Sequence, residues 1–101
     1  MAKTSKAAEG VKTVKIERDL RIGAAASVFA SLRAVGQARE ARVSLDGRQV
    51  EKVDAAGLQA LLAGCRLLEA AGKSVAWTGC SPQLVAGAGL LGLAGPLGIP
   101  S

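Results

Sequence analysis

Val53-Asp54-Ala55-Ala56-Gly57-Leu58-Gln59-Ala60-Leu61-Leu62 is the stretch on which the reading of the fold turns. Asp54 stands directly before a run whose apolar positions, Leu58, Leu61, Leu62, Cys65 and Leu68, recur at helical spacing. That spacing defines one buried stripe. Asp is a preferred N-cap, because its carboxylate accepts the orphaned N–H groups of the second and third helical residues, here Ala56 and Gly57. Gly72 supplies the stop signal, so the helix is predicted over Ala55 to Ala71. Ala55, Ala56 and Gly57 leave almost no side chain on the first turn, where N–H groups and the helix dipole face outward. Glycine costs roughly 1 kcal/mol against alanine within a helix, so Gly57 points to a close backbone approach or a special turn. Taken alone, these residues also describe an ordinary capped core helix.

Before this stretch, Val14 and Ile16 alternate with charged residues and predict a strand over Lys12 to Arg18. Arg18-Asp19 reads as a turn, and Leu20 with Ile22 as a short second strand paired to the first. Gly23 is a weak cap for a helix from Ala25 to Val35, with Ala25, Val28, Leu32 and Val35 on one face and Phe29 beside them. Ala41 to Leu45 reads as a third strand, with Val43 and Leu45 on one face. Ser44 lies on the other, where a sheet covered on both sides would require it to hydrogen-bond to backbone. Asp46-Gly47 invites a turn, and Arg48 to Lys52 reads as a charged connection. Beyond the central helix, Ser74 to Thr78 is the next strand. Ser81-Pro82 then opens a last helix running to about Leu91, with proline at its favoured first position. The alternation implies an α/β fold, a mixed four- to five-stranded sheet with helices packed against it.

Length and composition are consistent with one domain. A chain of 101 residues can bury roughly 65% of its unfolded surface, enough to fold without staples. Phe29 and Trp77 are the only aromatic residues, so the core must be aliphatic, and a nucleic-acid platform of stacking aromatics is absent. The formal net charge is +5. Residues 1–15 carry Lys3, Lys6, Lys12 and Lys15 against Glu9, a net of +3, and nine basic and seven acidic groups in the remainder leave +2. Much of the excess thus lies in or beside residues 1–10, which read as a flexible basic tail, with a single domain over 11–101. Residues 1–10 lack the apolar run of a signal peptide.

No catalytic or metal-ligating set is visible. The chain has no His, its carboxylates are scattered, and Cys65 and Cys80 form no CxxC pair. Both thiols read as reduced and partly buried. Gly87-Ala88-Gly89-Leu90-Leu91-Gly92 matches G-x-G-x-x-G, but a dinucleotide site needs those glycines straight after a strand, with an acidic residue about 20 positions on. Here they fall within a predicted helix near the chain's end. The uncharged run from Leu84 to Ile99 is too short to span a bilayer and is interrupted by Gly and Pro.

Leu45-Asp46-Gly47 at a strand end, a short loop, then Val53-Asp54-x-x-Gly57-Leu58 resembles the STAS domain family, with a further echo in Ser81-Pro82 and Leu90-Leu91-Gly92-Leu93. The likeness runs from about Val14 to Leu97. The family includes bacterial anti-sigma factor antagonists and relatives in chemotaxis clusters, in lipid ABC transporters and at the C-termini of sulfate transporters. The resemblance implies a non-enzymatic, cytoplasmic interaction module without a cofactor, binding a protein partner, with no nucleic acid and no direct membrane insertion. The implied partner-binding residues are Asp54, Ala55, Ala56, Gly57 and Gln59. In the sigma-factor branch a Ser directly before the motif Gly is phosphorylated by a kinase that is also the anti-sigma factor; Ala56 stands there. Many lipid-transport and chemotaxis-linked relatives have Thr or Ser after the motif Asp; Ala55 stands there. Relatives often carry Thr or Ser at Ala24 too, so its helix is expected to start poorly capped. The implied partner is a histidine-kinase-like ATPase or other signalling protein. The alternatives are an ABC ATPase, on which the chain would be an accessory subunit, and a nucleotide-binding or enzymatic role, which lacks a placed phosphate loop.

Overall fold

The structure, a computed structural model, describes residues 10–100; all but the last residue of the expected tail lies outside them. The elements in chain order are β1 (Val11–Lys15), β2 (Asp19–Leu20), a 3-10 turn (Ile22–Ala24), α1 (Ala25–Gly36), β3 (Arg42–Gly47), β4 (Lys52–Val53), α2 (Ala55–Ala70), β5 (Ser74–Cys80), α3 (Pro82–Leu90) and α4 (Ala94–Leu97). The five strands match the expected number, but they divide into two ladders, and every pairing is parallel rather than mixed. One ladder is a three-stranded sheet in the order β1-β3-β5, and the other pairs β2 with β4.

Two expectations are corrected here. Leu20 does not pair with the first strand; its partner is Val53, directly before Asp54. Ile22 lies in no strand but opens the 3-10 turn. The Leu20/Ile22 alternation resembled a strand because two residues cannot be told from a longer alternating run. The sheet is also not covered on both sides among the described residues. Val43, Leu45 and Ile16 are buried on the helix-facing side, whereas Val11, Thr13, Arg42, Ser74 and Ala76 on the opposite side are exposed. The helices gather on one face because the apolar residues of all three strands project there.

The core is aliphatic, as the composition demanded. Ile16, Leu20, Leu32, Leu45, Leu58, Leu61, Leu68 and Leu84 are fully buried. The predicted stripe of α2 is buried throughout, and Val28, Leu32 and Val35 form the buried face of α1. Close approach of the two helices depends on Gly64, where an added Cβ would lie 2.4 Å from Leu32 Cδ1. The ends of α2, α3 and α4 are closed alike. Gly72, Gly92 and Gly98 take φ of 84°, 70° and 70°. In each case the glycine N–H and the next N–H return to carbonyls of the last turn, as in Lys73 N to Leu68 O, the double bond of a Schellman motif. α1 starts without a side-chain cap at Ala24, as the missing hydroxyl predicted; the 3-10 turn precedes it instead. The short α4 lies within the uncharged run from Leu84 to Ile99. It is tied down by Trp77 Nε1–H, which donates to Leu97 O at 2.9 Å.

At the C-terminal end of β3, Arg48 donates to the Asp46 carboxylate through Nε at 2.9 Å and Nη2 at 3.0 Å. Those hydrogen bonds hold the Asp46 carboxyl at about 2, below its ordinary 3.8. A lowered folded-state value means the unfolded chain takes up the proton first. The contribution is therefore complete above about pH 4 and is lost as the pH falls through about 2. Asp46→Asn should flatten the acid limb of the stability profile in that window, as read by urea melts at successive pH values. In the core, Leu61→Ala should lower stability by about 2 to 5 kcal/mol, because it leaves a cavity between α2 and the elements packed on it. A chemical-denaturation midpoint checks this.

Candidate functional site

β2 and β4 bring two distant loops together at the start of α2. Leu20 pairs with Val53, and Leu20 O accepts the Asp54 N–H at 3.3 Å. The Asp54 carboxylate then works in two directions. Oδ1 accepts the Gly57 N–H at 2.8 Å, the expected cap. Oδ2 accepts the Ile22 N–H at 3.0 Å, from a residue 32 positions earlier. Asp54 therefore both starts α2 and anchors the 3-10 turn beside it. The second bond has no signature in the sequence, since only the tertiary fold brings Ile22 to Asp54.

Gly57 is explained by the same junction. A Cβ on it would lie 1.9 Å from Leu20 O, inside the backbone of β2. Its role is close backbone approach, one of the two readings open from the sequence. Of the expected partner-binding residues, Ala55 and Gln59 are exposed, Asp54 and Ala56 are half-buried, and Gly57 is buried. Gly57 shapes the surface from beneath rather than lying on it. Ile22, which the sequence reading placed in a strand, adds a large apolar side chain, 71% exposed, next to this turn.

A groove of about 520 Å³ adjoins it, lined by Glu17, Asp19, Arg21, Ile22, Gly23, Ala24, Ser27 and Asp54. Arg21 donates to both Asp19 oxygens, at 2.7 and 2.8 Å. That hydrogen bonding pulls the Asp19 carboxyl down and raises the Arg21 guanidinium. Ser27 Oγ donates to Glu17 Oε2 at 2.8 Å.

The thiols lie elsewhere in function. Cys65 is buried in the stripe of α2, and burial, aided by Glu69, pushes its thiol up to about 11. At neutral pH it is a protonated, weakly nucleophilic core residue. Burial also raises the half-buried Cys80. Among the described residues no three His, Cys, Asp or Glu side chains converge on one point. Gly87 and Gly89 of the glycine-rich stretch lie within α3, and a Cβ at Gly87 would meet Val53 Cγ2 at 2.4 Å. That glycine serves the packing of α3 on β4. No helix among the described residues is long and apolar enough to cross a membrane.

A parallel sheet with helices on one face, and a capped central helix seated on a glycine, define a STAS domain. The sequence matches the family described as "Mlab, STAS domain" over residues 4–99, and the chain belongs to that family. No curated protein matches it. Among solved structures it is similar to a sulfate transporter family protein from Wolinella succinogenes, with a TM-score of 0.72 and 23% identity. That likeness covers 86% of this chain and 70% of the other, and it shows the fold. STAS domains serve as protein-interaction modules, and this chain has that general role.

Two substitutions test the junction. Asp54→Ala should cost about 2 kcal/mol, roughly 1 for the cap and a similar amount for the bond to Ile22. Asp54→Asn, with one acceptor oxygen in place of two, should cost about half as much. Gly57→Ala should cost about 3 kcal/mol or more, because backbone must move to admit the methyl. Urea melts with an unchanged m-value for the Asp54 variants are the check; a silent Gly57→Ala would remove the close approach to Leu20.

Proposed function

We propose that the chain is a non-enzymatic, cytoplasmic adaptor of the anti-sigma factor antagonist type, acting in bacterial signalling or partner switching. It docks a protein partner through the loop and first turn of α2. The observation that carries this reading is the surface at that turn. Ala55, half-buried Ala56 and Gln59 lie beside the 71%-exposed Ile22, and Asp54 holds the two segments in one arrangement. A turn of small side chains lets a partner approach the helix end closely, while Ile22 offers apolar area for burial. Ala55 and Ala56 carry no hydroxyl, so this surface has no phosphoryl acceptor at the positions its relatives use. The module is then held in the binding form that relatives adopt before phosphorylation. The partner in this reading is a histidine-kinase-like ATPase or another signalling protein, including those of chemotaxis complexes.

The missing hydroxyls also favour a second reading, an accessory subunit docked on an ABC transporter ATPase of the lipid-transport type. A permanently bound subunit has no need of a phosphorylation switch at its contact. Copurification from the native cell separates the two: a histidine-kinase-like ATPase supports signalling, an ABC ATPase supports transport.

The docking surface itself is tested by Ala56→Asp. A carboxylate near a helix N-terminus is favourable by about 0.3 to 1 kcal/mol, so the thermal midpoint should stay close to that of the parent. An unpaired charge in a contact shaped for a methyl should weaken partner binding by roughly 2 kcal/mol or more. Ile22→Ser should likewise leave stability within about 0.5 kcal/mol while lowering affinity. Calorimetric titration against the copurified partner reads both, and unchanged affinity in the two folded variants would remove this turn as the docking surface.

A further inference from the structure

The charged residues divide between the two ends of the sheet. The C-terminal strand ends, with the start of α2, form one. Three ion pairs lie there, Arg18–Glu51, Arg21–Asp19 and Arg48–Asp46. Lys15 and Lys52 at that end are matched in number by Glu17 and Asp54, so it is neutral. The N-terminal strand ends, with the last turns of α1 and α2, form the other. Six basic residues, Lys12, Arg33, Arg39, Arg42, Arg66 and Lys73, stand there against Glu40 and Glu69, a net of +4. Residues 1–9, with Lys3 and Lys6 against Glu9, join the chain at this end too, since Val11 is paired with Arg42. The whole formal excess of +5 therefore belongs to one end.

The fold assembles this end from segments far apart in sequence. The register sets Val11, Arg42 and Ser74 side by side. Lys73 Nζ donates to Ala38 O and Glu40 O, which holds the loop carrying Arg39 close by. Arg33, in the last turn of α1, shares a groove of about 280 Å³ with Leu67, Ala70 and Ala71 of α2 and its end. A second groove, of about 440 Å³, sets Arg33 beside Phe29, Ala30 and Ala34. Arg33, Arg39 and Arg66 are exposed and form no ion pair among the described residues.

We propose that this basic end adsorbs on an anionic membrane at the level of the lipid headgroups. Its cations lie on two strands, two loops and two helices, and each groove holds only Arg33 among them. Such a spread suits an extended anionic surface rather than a single phosphate. Leu67, 39% exposed, and the half-buried Phe29 lie in the grooves that Arg33 lines. Apolar side chains beside cations enter the headgroup boundary of a bilayer, whereas a nucleic-acid backbone leaves them in water. α2 begins at the neutral end and finishes at the basic one, so adsorption leaves its first turn facing away from the bilayer.

The test is cosedimentation of the full chain with vesicles, at an ionic strength of roughly 0.15 M. Vesicles of phosphatidylcholine and phosphatidylglycerol in equal parts should bind the chain, and phosphatidylcholine alone should not. Arg33→Gln, Arg39→Gln and Arg66→Gln combined should weaken that binding about a hundredfold. A matched triple at the neutral end, Lys15→Gln, Arg18→Gln and Lys52→Gln, removes the same charge and should weaken it by less than about threefold. Circular dichroism checks that both triples are folded. A parent that ignores the anionic vesicles would overturn the proposal. Equal losses from the two triples would also overturn it, because net charge alone would then be the cause. So would a DNA duplex or polyglutamate that strips the chain from the vesicles at an equal concentration of negative charge.

Discussion

One carboxylate holds the junction at the start of α2 together. Asp54 accepts from Gly57 N–H in its own helix and from Ile22 N–H in a turn 32 residues earlier. Beneath it, Gly57 lets the backbone of α2 rest against Leu20 O. These contacts depend on one another. The two-residue ladder of Leu20 and Val53 sets the height of the loop, the glycine lets the helix approach it, and the carboxylate joins the donors of both segments. A two-residue ladder has little stability of its own. Its persistence here rests on the buried side chains of Leu20 and Leu58, each fully enclosed.

With no tyrosine, one phenylalanine and one tryptophan, and no aromatic ring among its fully buried residues, the core must fill space by close approach. Glycine and alanine bring the elements together. Gly64 admits Leu32, Gly47 admits Leu84 and the Trp77 ring, and Gly87 admits Val53. Leucines then occupy the space between helices at high density. Each of these contacts is steric, so a methyl at any of the glycines would move a neighbour. In the last third, Gly79 and Gly87 follow from the same packing and Gly92 and Gly98 from the ends of α3 and α4, whereas an added Cβ at Gly89 or Gly95 would meet nothing within 4 Å.

The parallel sheet, with its helices on one face, leaves two kinds of surface unlike each other in chemistry. The turn at Ile22 and the start of α2 lie beside a groove of three carboxylates and one arginine. The β5 edge carries neither charge nor proline. The contacts that each can make without desolvating charge are different.

The sequence by itself determined the local features whose causes are local. The α2 stripe from Leu58 to Leu68, the Asp54 cap, the stop at Gly72 and the Ser81-Pro82 helix start all follow from periodicity and from donors within one turn. The aliphatic core follows from composition. The quoted motif was enough to indicate the STAS fold. Tertiary structure alone decided what depends on residues far apart. Leu20 pairs with Val53 rather than with the first strand, and this exposes Ile22 at the candidate docking turn. The second oxygen of Asp54 is engaged across 32 residues, and Gly57 lies against a carbonyl 37 residues before it. No periodicity records such encounters, because strand order and the meeting of loops are set by how apolar faces pack together in space.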